Sequence, residues 1–118
     1  MERTAECHCG QLKAIASGEP DRVYVCHCKA CQRRTGAIIH NGSSWPKERV
    51  RIEGEDKIYG RMADSGFEIR FHFCPNCGTS VFWEGDRNPA TLRAIYYGAD
   101  ARRLGQRSLP PYPAFGRW

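Results

Sequence analysis

The chain has 118 residues, 41% of them hydrophobic and 26% charged, with seven cysteines and a formal net charge of +5. That length fits one domain, and no apolar run nears the roughly 18 residues of a membrane-spanning helix. The charge invites an anionic partner, but seven thiolates and two divalent ions would together subtract three, leaving about +2, which is weak support for nucleic acid.

The start, Met1 to Glu6, is polar and lacks the apolar core of a signal peptide, so the expected compartment is the cytoplasm. There, clustered cysteines hold metal or do redox chemistry more often than they form structural disulfides, and an odd number leaves one thiol over in any disulfide set.

In chain order, residues 11–17, 22–25, 36–40 and 49–52 read as strands, with turns at Asn41-Gly42 and Glu53-Gly54. Residues 29–35 stand out as a helix of about two turns, stopped by Gly36. The clearest alternation runs from Phe67 to Phe73, large apolar residues at odd positions and polar ones at even, the pattern of a half-buried strand. Residues 79–83 and 91–97 supply two more β-rich runs. Residues 1–109 therefore form one mainly β domain with short connections, followed by a proline-rich tail, residues 110–118, that is expected to lie extended.

The cysteines fall into three groups: Cys7-His8-Cys9-Gly10, Cys26-His27-Cys28-Lys29-Ala30-Cys31 and Cys74-Pro75-Asn76-Cys77-Gly78. In the last, the two-residue gap makes a tight turn whose N–H groups face the sulfurs, and Gly78 supplies the left-handed closure. On an extended segment, alternation puts Cys7 and Cys9 on one face. Joined with Cys74 and Cys77, they make a four-thiolate set, the closed form of a structural zinc site. Cys26, Cys28 and Cys31 then stand alone, and three ligands with an open fourth position are the pattern of a catalytic zinc. Three thiolates blunt the Lewis acidity that makes hydroxide from water, so such a site suits an incoming thiol better.

Other readings stay open at this level. A histidine (His8, His27, His40 or His72) could close the second site or support it from behind; a single zinc could leave three cysteines spare; and Cys28-Lys29-Ala30-Cys31 could be a redox pair, although its expected βαβ context is missing. Trp45, Phe82 and Trp83 either line a pocket or, by default, pack the core.

With all three groups placed, the sequence resembles the glutathione-dependent formaldehyde-activating enzymes, or S-(hydroxymethyl)glutathione synthases. The residues that carry the resemblance are Cys7 to Gly10, Cys26 to Gly36 and Phe73 to Thr79. The resemblance implies small antiparallel sheets arranged around two zinc ions, with Cys7, Cys9, Cys74 and Cys77 on the structural ion and Cys26, Cys28 and Cys31 on the catalytic one. It also implies a carbon–sulfur lyase that adds the glutathione thiol to formaldehyde or a related small carbonyl. Lys29, Arg33 and Arg34, beside the catalytic cysteines, are then candidates to hold glutathione carboxylates. The competing reading is a zinc-stabilised binding module for protein or nucleic acid, using the basic, aromatic C-terminal segment with Arg102, Arg103, Arg107 and Arg117.

Overall fold

The first strand, β1 (Glu2–Glu6), pairs antiparallel with β2 (Lys13–Ser17), which pairs in turn with β5 (Val50–Glu53) to make a three-stranded sheet. A six-stranded antiparallel sheet holds β3 (Arg22–Cys26), β4 (His40–Pro46), β9 (Thr91–Ile95), β8 (Ser80–Gly85), β7 (Glu68–Phe73) and β6 (Lys57–Met62), in that spatial order. The helix α1 (Lys29–Thr35) sits between β3 and β4. This computed structural model describes residues 2–95. The tail at residues 110–118 and the end of the strand expected at 91–97 lie outside the described residues.

The two faces of the larger sheet have different jobs, and strand register decides which residue goes where. Arg22, Ser44, Arg93, Trp83, Phe71 and Tyr59 stand directly opposite one another across all six strands, so they form one row on one face. The adjacent positions, including Phe82, Leu92 and Ala94, point the other way and pack with Ala5 and Ala14 of the small sheet and with Leu12, just before β2. Cys7, Cys74 and Val81 are buried in the same cluster. Trp45 is also buried, its indole N–H donating to Ser43 Oγ at 2.8 Å, and Ser43 donates onward to the Ala94 carbonyl at 3.2 Å.

The mainly β fold, the antiparallel sheets and the helix at residues 29–35 match the reading of the sequence. The helix is capped at both ends by residues of the cysteine motif: Cys28 Sγ accepts from Cys31 N–H, and Gly36, at φ +71°, donates to the Gln32 carbonyl.

Three local expectations need correction. Of the strand expected at 36–40 only His40 is extended, as the first residue of β4, and Asn41-Gly42 is not a turn: both residues lie inside β4. Asn-Gly usually marks a two-residue hairpin, but here the glycine serves close approach. Tyr24, its partner on β3, lies across it, and a Cβ on Gly42 would sit 2.5 Å from Tyr24 Cζ. Cys7 and Cys9 do not lie on an extended segment either. They occupy a turn in which Gly10 N–H bonds to the Cys7 carbonyl at 3.0 Å. Finally, β1 and β6 went unread. In the first, Ala5 is the one fully buried residue; the second is an edge strand whose side chains are mostly exposed, so neither carries a strong apolar alternation.

Candidate functional site

Two cysteine clusters assemble from distant parts of the chain. Cys7, Cys9, Cys74 and Cys77 bring their sulfurs within 4.8 Å of one another, and so do Cys26, Cys28 and Cys31. Neither cluster, among the described residues, contains a histidine or a carboxylate.

In the first cluster, Cys7 Sγ lies 3.6 Å from Cys9 Sγ, and Cys9 Sγ lies 3.7 Å from Cys74 Sγ. A disulfide needs about 2.05 Å. A tetrahedral zinc with bonds of about 2.3 Å sets its sulfurs about 3.8 Å apart. The cluster therefore fits a tetrathiolate metal site. Its surroundings suit negative sulfur as well. Leu12 N–H donates to Cys7 Sγ at 3.3 Å, and the N–H groups of Asn76 and Cys77 donate to Cys74 Sγ at 3.3 and 3.5 Å. The Gln11 side-chain amide reaches Cys74 Sγ at 2.9 Å and also grips both backbone groups of Glu55. Burial opposes ionisation of Cys74, yet these donors bring its pKa down, and the Thr79 hydroxyl and N–H lower that of Cys77 to about 5.

The chain is folded here by two similar turns. After β7 a register shift at His72 and Phe73 releases the strand, and the Gly78 N–H closes onto the Cys74 carbonyl at 2.8 Å. One jaw thus hangs from the large sheet and the other joins β1 to β2, so the cluster ties the two sheets together.

The second cluster is placed differently. Cys26 ends β3, while Cys28 and Cys31 open α1, and all three line a cleft of about 590 Å³ on the outer face of the large sheet. Its floor is aromatic: Phe71 and Trp83 lie 6.3 Å apart between ring centres, and Trp83 also packs on His40 at 4.9 Å. Tyr24 and Tyr59 extend the wall on either side. Burial pushes the Cys31 thiol up to about 12, helped by the neighbouring Cys26 and Cys28, whereas Cys28 is lowered by the Cys31 N–H. Three sulfurs this close form a donor set that a soft cation fits.

Four arginines line the same cleft: Arg33 and Arg34 from α1, Arg61 from β6 and Arg93 from β9. The Arg34 guanidinium lies over both floor rings, 4.7 Å from the centre of Phe71 and 5.0 Å from that of Trp83. Lys29 heads the helix but is not among the lining residues. Burial holds Tyr24 protonated, its pKa raised, and burial with the nearby Arg34 charge keeps His40 neutral, its pKa lowered. The His40 Nε2 is buried with no hydrogen-bond partner among the described residues.

A family model described as glutathione-dependent formaldehyde-activating enzyme matches residues 2–112. The chain belongs to that family. A crystal structure of a Rhodobacter sphaeroides protein, solved as a structural-genomics target, shares the fold. The TM-score is 0.63 at 21% identity, over 87% of this chain and 95% of that one. A comparison with curated proteins gives no match.

In this member of the family, the sequence reading reached the cysteines and the two helix arginines. Tyr24, Tyr59, Arg61, Phe71 and Arg93 also line the cleft and carry no such signal in the sequence, while His40, a candidate ligand or supporting group there, lines the cleft without joining the sulfur cluster. The alternation at residues 67–73 was legible, but its apolar side turns out to floor the cleft rather than fill the core between the sheets. Of the three expected aromatics, Phe82 joins that core, Trp45 is buried on the same face, and Trp83 lines the cleft.

Proposed function

We propose that this protein is a zinc-dependent carbon–sulfur lyase that joins a small thiol, glutathione in the family's description, to formaldehyde or a related small carbonyl. The observation that carries the reading is the position of Cys26, Cys28 and Cys31 in the wall of an open cleft, whereas Cys7 and Cys74 of the other cluster are buried in the core. Cys26, Cys28 and Cys31 would hold a zinc ion there, and that ion would supply the positive charge that lowers the pKa of an incoming thiol. Cys7, Cys9, Cys74 and Cys77 are assigned to a structural zinc ion that holds the sheets in register.

The remaining work falls to side chains of the cleft. Arg33 and Arg34 orient the carboxylates of the thiol substrate, with Lys29 as an outer contact. Phe71 and Trp83 exclude water from the reacting atoms, which favours addition of sulfur over hydration of the aldehyde. As the carbon–sulfur bond forms, the carbonyl π pair moves to oxygen, and the neutral Tyr24 hydroxyl can supply the proton that oxygen takes up. The reverse breaks the carbon–sulfur bond and returns thiol and aldehyde. A thiolate-rich metal protein of this kind fits the reducing cytoplasm.

Exchange NMR in glutathione and formaldehyde tests the reading. The protein loaded with two zinc ions should accelerate exchange between free thiol and hydroxymethyl adduct, and Cys28→Ser should abolish the effect. An exchange rate unchanged by the loaded protein would refute the lyase assignment and leave the metal sites standing.

A further inference from the structure

We infer that the thiol taken by this cleft carries at least two acidic groups and no cationic one, a conclusion that rests on the lyase reading above. Of the six described arginines outside the cleft, four are matched by acids: Arg3 with Glu19, Arg49 with Asp21, Arg51 with Glu2 and Glu53, Arg70 with Glu84 and Asp86; Arg22 and Arg87 are not. The four in the cleft have no carboxylate within 4.0 Å among the described residues, and no acid is among the residues that line the cleft. Three separate elements bring these arginines together, so their convergence is a property of the tertiary fold and not of one charged helix face.

Such a cluster is costly when nothing neutralises it, since like charges repel and the half-buried Arg34, Arg61 and Arg93 lose part of their water. Arg34 is also held in place by its stacking on Phe71 and Trp83, which leaves its N–H edge for a ligand.

Charge balance sets the number of acidic groups. Three thiolates with a divalent ion leave the metal centre formally at −1, and the four guanidinium groups bring the cleft to a surplus of about +3. The sulfur of the incoming thiolate removes one positive charge. About two remain, which calls for two further anionic groups on the substrate. Glutathione has two carboxylates but also an ammonium, which would enter a cationic cleft with no lining acid to receive it. Beyond Ile95 the sequence contributes one acid, Asp100, against Arg102, Arg103, Arg107 and Arg117. A dicarboxylate or comparably dianionic thiol without an amine matches the cleft better.

The test compares mercaptosuccinate, glutathione, N-acetylglutathione and 2-mercaptoethanol on the zinc-loaded protein, with affinity read by calorimetry and turnover by formaldehyde exchange NMR. Mercaptosuccinate and N-acetylglutathione should each bind about tenfold more tightly than glutathione, with affinity falling as salt is raised. Arg34→Gln and Arg93→Gln should each lower the affinity ratio of mercaptosuccinate over 2-mercaptoethanol by about tenfold. Glutathione binding as tightly as its N-acetyl derivative would overturn the inference, and accelerated glutathione exchange in the same samples would leave the lyase reading intact. Acceleration of no thiol would instead sink the lyase reading, while the affinity order would still decide the inference.

Discussion

Gly54 offers a sharp test of how the core-side cysteine cluster is held. It follows β5 with φ +95°, and a Cβ there would lie 1.9 Å from the Gln11 carbonyl oxygen and 2.8 Å from the Gln11 carbonyl carbon. Ordinary contact begins at 3.4 Å, so Gly54→Ala leaves a shortfall of about 1.5 Å against backbone. The left-handed conformation alone costs an L-residue roughly 1–2 kcal/mol. Forcing the backbone apart adds roughly 1–3 kcal/mol, for a total near 3 kcal/mol. In a domain of this size that lowers the melting temperature by roughly 12 °C. Gly66 supplies the comparison: its φ is +87° and nothing lies within 4 Å of its would-be Cβ, so Gly66→Ala carries the conformational cost alone. Because Gln11 also donates to Cys74 Sγ, Gly54→Ala should weaken metal retention, whereas Gly66→Ala should not. Circular dichroism melts and metal content after chelator challenge measure both effects. Equal melting temperatures and equal metal retention in the two variants would refute the close packing of Gly54 on Gln11.

The two cysteine clusters should separate by mutation. Cys74→Ser, at a fully buried position in the core, should lose about 3–5 kcal/mol of stability with one metal equivalent, while Cys31→Ser in the cleft wall should lose the other equivalent for about 1 kcal/mol; similar melting temperatures for the two would contradict the assignment. Glu84 provides a pH test. Burial raises its pKa, but Lys47 and Arg70 outweigh that and hold it below the usual carboxylate value, so it stabilises the fold above that value and the gain is lost as pH falls through the lowered one. Glu84→Gln should therefore cost about 1 kcal/mol at pH 7, and the gap to the native protein should close below about pH 4. A gap that widens in acid would show the sign to be wrong.

The chain carried much of its chemistry in its linear order. Two-residue gaps, closing glycines and the odd cysteine count pointed to metal, and spacing marked two pairs and a triad, but the joining of Cys7 and Cys9 to Cys74 and Cys77 is made by the tertiary fold. The helix at residues 29–35 was legible for the same reason, since Cys28 and Gly36 cap it from within the motif. Strand alternation at residues 67–73 was also plain, but alternation tells only that two faces differ.

Which face meets solvent, core or cleft depends on pairing partners far away in sequence, and a shift of one residue would exchange them. Register put Trp83 between Phe71 and Arg93, and it set Tyr24 across Gly42, where the sequence suggested a turn. The cysteines could be read from the sequence because metal-binding spacing is a local property. The arginine-lined cleft belongs to the tertiary structure, because its residues come from α1, β6 and β9 and meet only when the six strands are in register.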